Sequence, residues 1–153
     1  MSNDAWNAIS EGKALSGEPF AVTRETIRAF CEASLDYNPL HLDDDYMAHS
    51  SFGKTKFGGV IMHGMTNFGL ISRMLTDWLY AHGGQHRRLE TRWLAPVRPG
   101  DTIAPAARVT RKLATLKSRW VILQIEVRNQ HGEQIAIGEA LAEFPAPAEP
   151  AIA

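Results

Sequence analysis

The stretch that decides the fold is residues 60–82, VIMHGMTNFGLISRMLTDWLYAH. Its apolar residues recur at helical spacing and cover more than one face of a helix. The main stripe consists of Ile61, Met65, Phe68, Ile71, Leu75 and Leu79, and Leu70, Met74 and Trp78 widen it. We therefore predict a central, buried helix that begins at Val60 and is closed by Gly83 and Gly84.

This helix is long enough to span a bilayer, but four polar residues interrupt it: His63, Asn67, Arg73 and Asp77. Each of them is costly in lipid, so we expect no membrane contact. The first ten residues, MSNDAWNAIS, are polar and acidic and do not predict a secretory signal. The expected location is the cytoplasm, which suits a chain whose single cysteine, Cys31, has no partner for a disulfide.

After the helix the pattern changes to an alternation of period two in residues rich in β-formers. Four strands are predicted, at 87–97, 101–114, 119–129 and 133–144, and a fifth near 18–22. Short turns join them, so the sheet is antiparallel, and its apolar face needs the helix as cover. We predict an α+β fold in one domain, 1–153, with a core at about 18–145 and a Pro- and Ala-rich tail at 146–153.

Charge and composition exclude several classes of function. The 16 basic and 17 acidic residues give a net charge of -1, and no run of like charge indicates a nucleic-acid partner. The histidines share no ligand spacing, so we expect no metal. We also expect no redox cofactor.

A second stretch, SLDYNPLH at 34–41, carries a carboxylate and an imidazole. The preceding helix has Thr23 as a plausible N-cap and stops near Asp36, and Pro39 forces a turn before His41. Two such side chains aimed at one point can hold a water and move its protons. On spacing alone an ordinary polar turn is the favoured explanation of the same residues.

A third stretch, GGVIMHGM at 58–65, opens the long helix. The first N–H groups of a helix have no intrahelical partner, so Gly64 can offer its N–H to a developing oxyanion. The alternative is that Gly64 serves close packing alone. The Gly-rich segment SFGKTKFGG, residues 51–59, is predicted to be a flexible loop beside the pair and a candidate lid.

Together with LDDDYMA (42–48) and RWLAPVRPGDTI (92–103), these stretches resemble the MaoC-like dehydratases, which include the R-specific enoyl-CoA hydratases. The resemblance covers roughly residues 20–144. It implies a hot-dog fold, in which an antiparallel sheet wraps around one long helix. It also implies hydration of trans-2-enoyl-CoA thioesters to 3-hydroxyacyl-CoA, or the reverse, with coenzyme A as part of the substrate.

The resemblance implies a role for each matched residue. Asp36 and His41 would activate the water, and the N–H of Gly64 would polarise the thioester carbonyl. The predicted substrate-binding residues are Asn38, which would mainly hold the turn, His63, Ser72, Phe57 and Gly59. The family commonly has glycine before the catalytic aspartate, where this chain has Leu35.

Three other functions stay open: a hot-dog acyl-CoA thioesterase, a noncatalytic acyl-thioester-binding partner subunit, and a small-molecule binding module. The presence of Asp36, His41 and an intact HGM argues against the last two. We also expect a homodimer or higher homo-oligomer, because an open sheet leaves edge strands that proteins usually cover. The resemblance implies the same dimer, with the acyl channel along the subunit boundary.

Overall fold

The computed structural model describes residues 6–49, 57–115 and 117–146 of the 153-residue chain. Its elements, in order, are β1 (Ala14–Ser16), β2 (Phe20–Ala21), α1 (Arg24–Ser34), α2 (Pro39–Leu42), α3 (Asp44–His49), α4 (Gly64–His82), β3 (Gln85–Trp93), β4 (Thr102–Ala114), β5 (Arg119–Asn129) and β6 (Gln134–Phe144). Most of the predicted lid, residues 51–56, and the tail from 147 onward lie outside the described residues.

One antiparallel sheet holds all six strands around α4. Its order is β1-β4-β5-β6-β3, and β2 also pairs with β4. Helix α4 buries one apolar face in the common core, with Ile71, Met74, Leu75 and Leu79 all under 10% exposed. The predicted α+β arrangement of a sheet around one long helix is confirmed.

The long helix begins at Gly64, four residues later than the pattern predicts. Residues 60–63 are buried but not helical, and two of their N–H groups bond to other segments. Ile61 N–H donates to the Leu40 carbonyl at 3.1 Å, and Met62 N–H donates to the Val97 carbonyl at 2.8 Å. Burial gives this segment the same apolar composition as the helix, so periodicity alone cannot separate the two.

Two other boundaries differ from the prediction. Strand β3 ends at Trp93 and not at 97, because the N–H groups of Leu94 and Ala95 both turn to the Ile135 carbonyl. The core begins before residue 18, since Trp6, Ile9 and Leu15 are buried in it. The three-residue β1 is too short to show an alternation in sequence.

The remaining helical predictions agree with the structure. Thr23 caps α1, and its side chain and that of Thr26 form a reciprocal capping box. Gly83, at φ 69°, closes α4. Among the described residues, no helix has the length and apolar character needed to cross a membrane.

Candidate active site

Helix α1 ends in a left-handed turn at Leu35, which directly precedes Asp36. Its C-cap, Leu35, has φ 61° and ψ 19° and is the only non-glycine residue with positive φ among those described. An L-residue in this conformation costs about 1–2 kcal/mol, a cost that glycine avoids. Leu35 is also 76% exposed. The leucine thus occupies a turn that glycine favours, with its side chain standing out from the surface.

Two local hydrogen bonds position Asp36. Its carboxylate Oδ1 accepts from the Asn38 N–H at 3.2 Å, and its backbone N–H donates to the Ser34 hydroxyl at 3.3 Å. The Asn38 side chain in turn caps α2 by accepting from the Leu40 N–H at 3.1 Å. Asn38 therefore holds the turn, and 53% of the Asp36 side chain stays exposed.

His41 lies in α2 and is 9% exposed. Its Nδ1 is 2.7 Å from the Ile61 carbonyl oxygen. Because a carbonyl only accepts, Nδ1 carries a proton, and Nε2 of the neutral ring keeps its lone pair. Burial lowers the pKa of His41, against the hydrogen bond to Ile61, which raises it. The net direction favours a neutral His41 with Nε2 ready to accept a proton.

His63, the N-cap of α4, lies behind this pair and is 2% exposed. Its ring stacks on that of His41, with centroids 3.6 Å apart and 24° between the planes. Its Nε2 is 3.1 Å from the Asp36 carbonyl oxygen and 4.0 Å from Oδ2 of the same residue. One polar atom from each of Asp36, His41 and His63 falls within 4.8 Å of the others. The structure thus brings Asp36 and His41 together, whereas their chemical roles stay predictions.

Three such groups are also typical of a metal site, but the proton position on His63 disfavours metal binding by that residue. Nε2 of His63 faces a carbonyl oxygen, so it carries a proton and has no lone pair for an ion. Moving that proton to Nδ1 would bury an N–H that has no acceptor among the described residues. The expectation that no metal binds stays a prediction.

His41 and Gly64 line two different clefts. The His41 cleft, of about 340 Å³, lies along α1 and is also lined by Arg24, Glu25, Arg28, Ala29, Glu32 and Leu42. The Gly64 cleft, of about 280 Å³, is lined by residues that include Phe57, Ile61, Asn67, Trp93 and Val97. Ile61 links the two, because its carbonyl holds the His41 ring while the residue lines the second cleft.

Gly64 allows the helix start to touch an indole ring. A Cβ at this position would lie 2.9 Å from Nε1 and 3.0 Å from Cε2 of Trp93. Such distances are too short for a carbon contact, so a side chain here would displace Trp93. The glycine therefore serves close packing in this structure, and its N–H is one of the unpaired donors at a helix start.

The other predicted binding residues are less closely tied to the pair. Phe57 lines the Gly64 cleft, and its carbonyl accepts from Nε and Nη2 of Arg98 at 3.0 and 2.7 Å. Gly59 has φ 154° and open space around its Cα. Ser72 is half-buried and makes no side-chain hydrogen bond within the described ranges. The structure therefore does not connect Ser72 to the pair.

Sequence reasoning missed two residues of the Gly64 cleft: Asn67 and Trp93. Asn67 is 3% exposed, and its Oδ1 has no partner among the described residues. It lies three positions after Gly64, so helical spacing already places it on the same face. Trp93 approaches from β3, and no local pattern predicts that contact.

Comparison with known proteins assigns the family. The family model described as "MaoC like domain" matches residues 7–130. The chain belongs to the MaoC-like family. Among its relatives, it is 30% identical over 143 residues to an (R)-specific enoyl-CoA hydratase of Rhodospirillum rubrum, covering 90% of each chain. It is 28% identical over 125 residues to a 3-hydroxybutyryl-CoA dehydratase of Methylorubrum extorquens, covering 81% of this chain and 74% of the relative.

A solved MaoC-like structure shows the same fold. The R-hydratase PhaJ1 of Pseudomonas aeruginosa superposes with a TM-score of 0.77 at 27% identity. The alignment covers 97% of this chain and 92% of that one. The hot-dog fold expected from the sequence is therefore confirmed.

The geometry of His41 makes a prediction that needs no substrate. Its protonation midpoint should lie below the ordinary value of about 6.5, because burial disfavours the cation. Between that midpoint and pH 6.5 the unfolded chain binds the proton more readily, so stability should fall as the pH falls through this range. NMR titration of the histidine ring signals measures the midpoint.

The Asp36→Asn variant is the matched control for this titration. The Asp36 charge raises the pKa of His41, so its removal should move the midpoint lower still. A wild-type midpoint at or above 6.5, or an upward shift in Asp36→Asn, would contradict the assignment.

Proposed function

We propose that this chain catalyses the R-specific hydration of trans-2-enoyl-CoA thioesters to 3-hydroxyacyl-CoA, and the reverse dehydration. The observation that carries the proposal is the convergence of the Asp36 carboxylate with the ring of a buried His41, whose Nε2 keeps its lone pair. The relatives support it, since one is named for this hydration and another for a dehydration.

The pair supplies two acceptors for one water. The water donates one hydrogen bond to the Asp36 carboxylate and one to Nε2 of His41, which leaves its lone pair free for C3 of the substrate. As the C3–O bond forms, one water proton passes to the pair and the electrons of the double bond move toward the thioester carbonyl. The pair then returns a proton to C2 on the same face, so the reaction is balanced and the pair is restored.

The developing negative charge on the thioester oxygen needs a donor near the pair. Gly64 directly follows His63, whose ring contacts Asp36 and His41, and in this proposal the Gly64 N–H supplies that donor. The positive end of α4 favours an anion at this point. In this proposal the substrate spans from the His41 side of the Ile61–His63 segment to the Gly64 cleft.

Hydration is redox neutral, and water and the pair account for every atom, so we propose no metal and no redox cofactor. Coenzyme A enters only as part of the substrate. We place the reaction in the cytoplasm, where the free thiol of Cys31 stays reduced. A thioesterase on the same fold is the main rival, and it differs in releasing free coenzyme A.

Loss of either member of the pair should remove most of the activity. Asp36→Asn and His41→Ala are each expected to lower turnover by at least about a hundredfold, the usual size of a lost general acid or base. The assay is the loss of enoyl absorbance over a panel of trans-2-enoyl-CoA thioesters, with thiol detection for free coenzyme A.

Matched controls are Asp45→Asn and His131→Ala, which change exposed residues of the same types. Both should keep wild-type turnover, and circular dichroism should show all four variants folded. Near-normal turnover in Asp36→Asn or His41→Ala would remove the pair from the mechanism. Free coenzyme A without a hydroxyacyl product would favour the thioesterase.

We further propose that the active form is a homodimer or a higher homo-oligomer. In the described sheet β3 pairs on one side only, with β6. Trp93 and Leu94 at its end and Met65 in the first turn of α4 are exposed apolar side chains beside the Gly64 cleft. A second copy paired along β3 would cover this edge and these side chains together.

The rival is a monomer whose edge is already protected. A bulge lies between His86 and Arg88, and Arg87 pairs with Glu143 across the sheet. Light scattering during dilution, with activity measured in the same samples, decides between the two. We expect at least a dimer and a loss of specific activity on dissociation, whereas a fully active monomer would contradict the proposal.

A further inference from the structure

We propose that His63 is a positioning residue. It fixes Asp36 and His41 relative to each other, through its Nε2–H on the Asp36 carbonyl and its ring stacked on that of His41. The inference rests on the proposed function for its effect on turnover, although the geometry that it describes does not depend on any substrate. His63 itself is 2% exposed and contacts Cys31, Asp36 and His41.

The first observation is the hydrogen bond of Nε2. It points at the main-chain carbonyl of Asp36 at 3.1 Å, and the Cys31 sulfur lies 3.6 Å away. The Asp36 peptide directly follows Leu35, whose left-handed conformation is strained. A strained turn persists only where its surroundings hold it, and the His63 N–H supplies such a hold on the far side of Leu35.

The second observation is the stacking on His41. The two rings are 3.6 Å apart and nearly parallel, so the face of His63 fixes the plane of His41. The Ile61 carbonyl fixes that ring within its plane through Nδ1. Together the two contacts fix the orientation of the His41 ring and thus the direction in which the Nε2 lone pair points. Phe30 packs on His63 at a centroid distance of 4.7 Å and limits its movement in turn.

The third observation is the proton count. With Nε2–H on the Asp36 carbonyl, neutral His63 leaves Nδ1 as a bare acceptor, which is buried without a partner among the described residues. A second proton would sit at that position without an acceptor and would face a stacked imidazole. A proton on one ring therefore disfavours a proton on the other, since two stacked cations would repel each other.

The groups that face His41 come from every side of the site. His63 lowers the pKa of His41, whereas the charge of Asp36 raises it. Across the cleft, α1 presents two basic and two acidic residues, which balance in number: Arg24, Arg28, Glu25 and Glu32. The removal of His63 therefore changes the local field in one direction, toward easier protonation of His41.

Two variants separate the role of the His63 ring from that of its N–H, and a third variant is the control. His63→Phe keeps the stacked ring and removes the N–H, whereas His63→Gln keeps a donor near the position of Nε2 and removes the ring. His131→Phe, an exposed histidine of the β5–β6 turn, is the control. We expect a roughly tenfold to hundredfold loss of kcat in His63→Phe, because a small misplacement of a reacting group has that effect. KM should change little, and His63→Gln should recover part of the kcat.

Both His63 variants should also move the acidic limb of the pH–rate profile to higher pH, which a merely structural role would not do. In wild type, NMR should show His63 as the Nε2–H tautomer and His41 as the Nδ1–H tautomer. This readout holds even if a variant unfolds or if enoyl-CoA is not the substrate.

The outcomes separate the two proposals. A wild-type chain with these tautomers but no hydratase activity would contradict the proposed function and leave the placement of His63 supported. An active wild type whose His63 variants keep its turnover and pH profile would overturn the positioning role, as would an Nδ1–H tautomer of His63.

Discussion

The backbone of Ile61 is the constraint on which the site depends. Its N–H donates to the Leu40 carbonyl, and its carbonyl accepts from Nδ1 of His41. This one residue therefore connects α2 to the segment before α4 and also fixes the tautomer of the candidate base. The next N–H, of Met62, binds Val97 and anchors the same segment to the chain between β3 and β4. The long helix therefore starts where these bonds end, with His63 and Gly64 in place.

This arrangement divides the chemistry between the two sides of one extended segment. On one side lie a half-exposed carboxylate and a buried imidazole that burial keeps neutral. On the other lies the helix start, with a glycine that admits the Trp93 ring and an N–H free of intrahelical bonds. In the proposed mechanism, a thioester that crosses the segment meets Asp36 and His41 at its double bond and the Gly64 N–H at its carbonyl.

Much of the fold was predictable, because local rules and the global structure agree. Alternation located β4, β5 and β6 to within a residue, and Thr23 marked the start of α1. The start of α4 was misplaced because burial, and not helical geometry, makes residues 60–63 apolar. Asp36 and His41 were found through Pro39 and the turn, whereas the contact between His63 and Asp36 joins segments 27 residues apart, and no local pattern predicts it.

The most direct test of the account is the stereochemistry of water addition. The wild-type chain is incubated with trans-2-butenoyl-CoA in deuterated water, and the product is analysed by NMR and chiral chromatography. The proposed R-specific hydration predicts (3R)-3-hydroxybutyryl-CoA, and a pair on one face of the substrate predicts a single deuterium at C2 on the same face as the new hydroxyl. A (3S) product would contradict the R-specific activity, and deuterium on the opposite face would contradict the delivery of both the hydroxyl and the proton by Asp36 and His41.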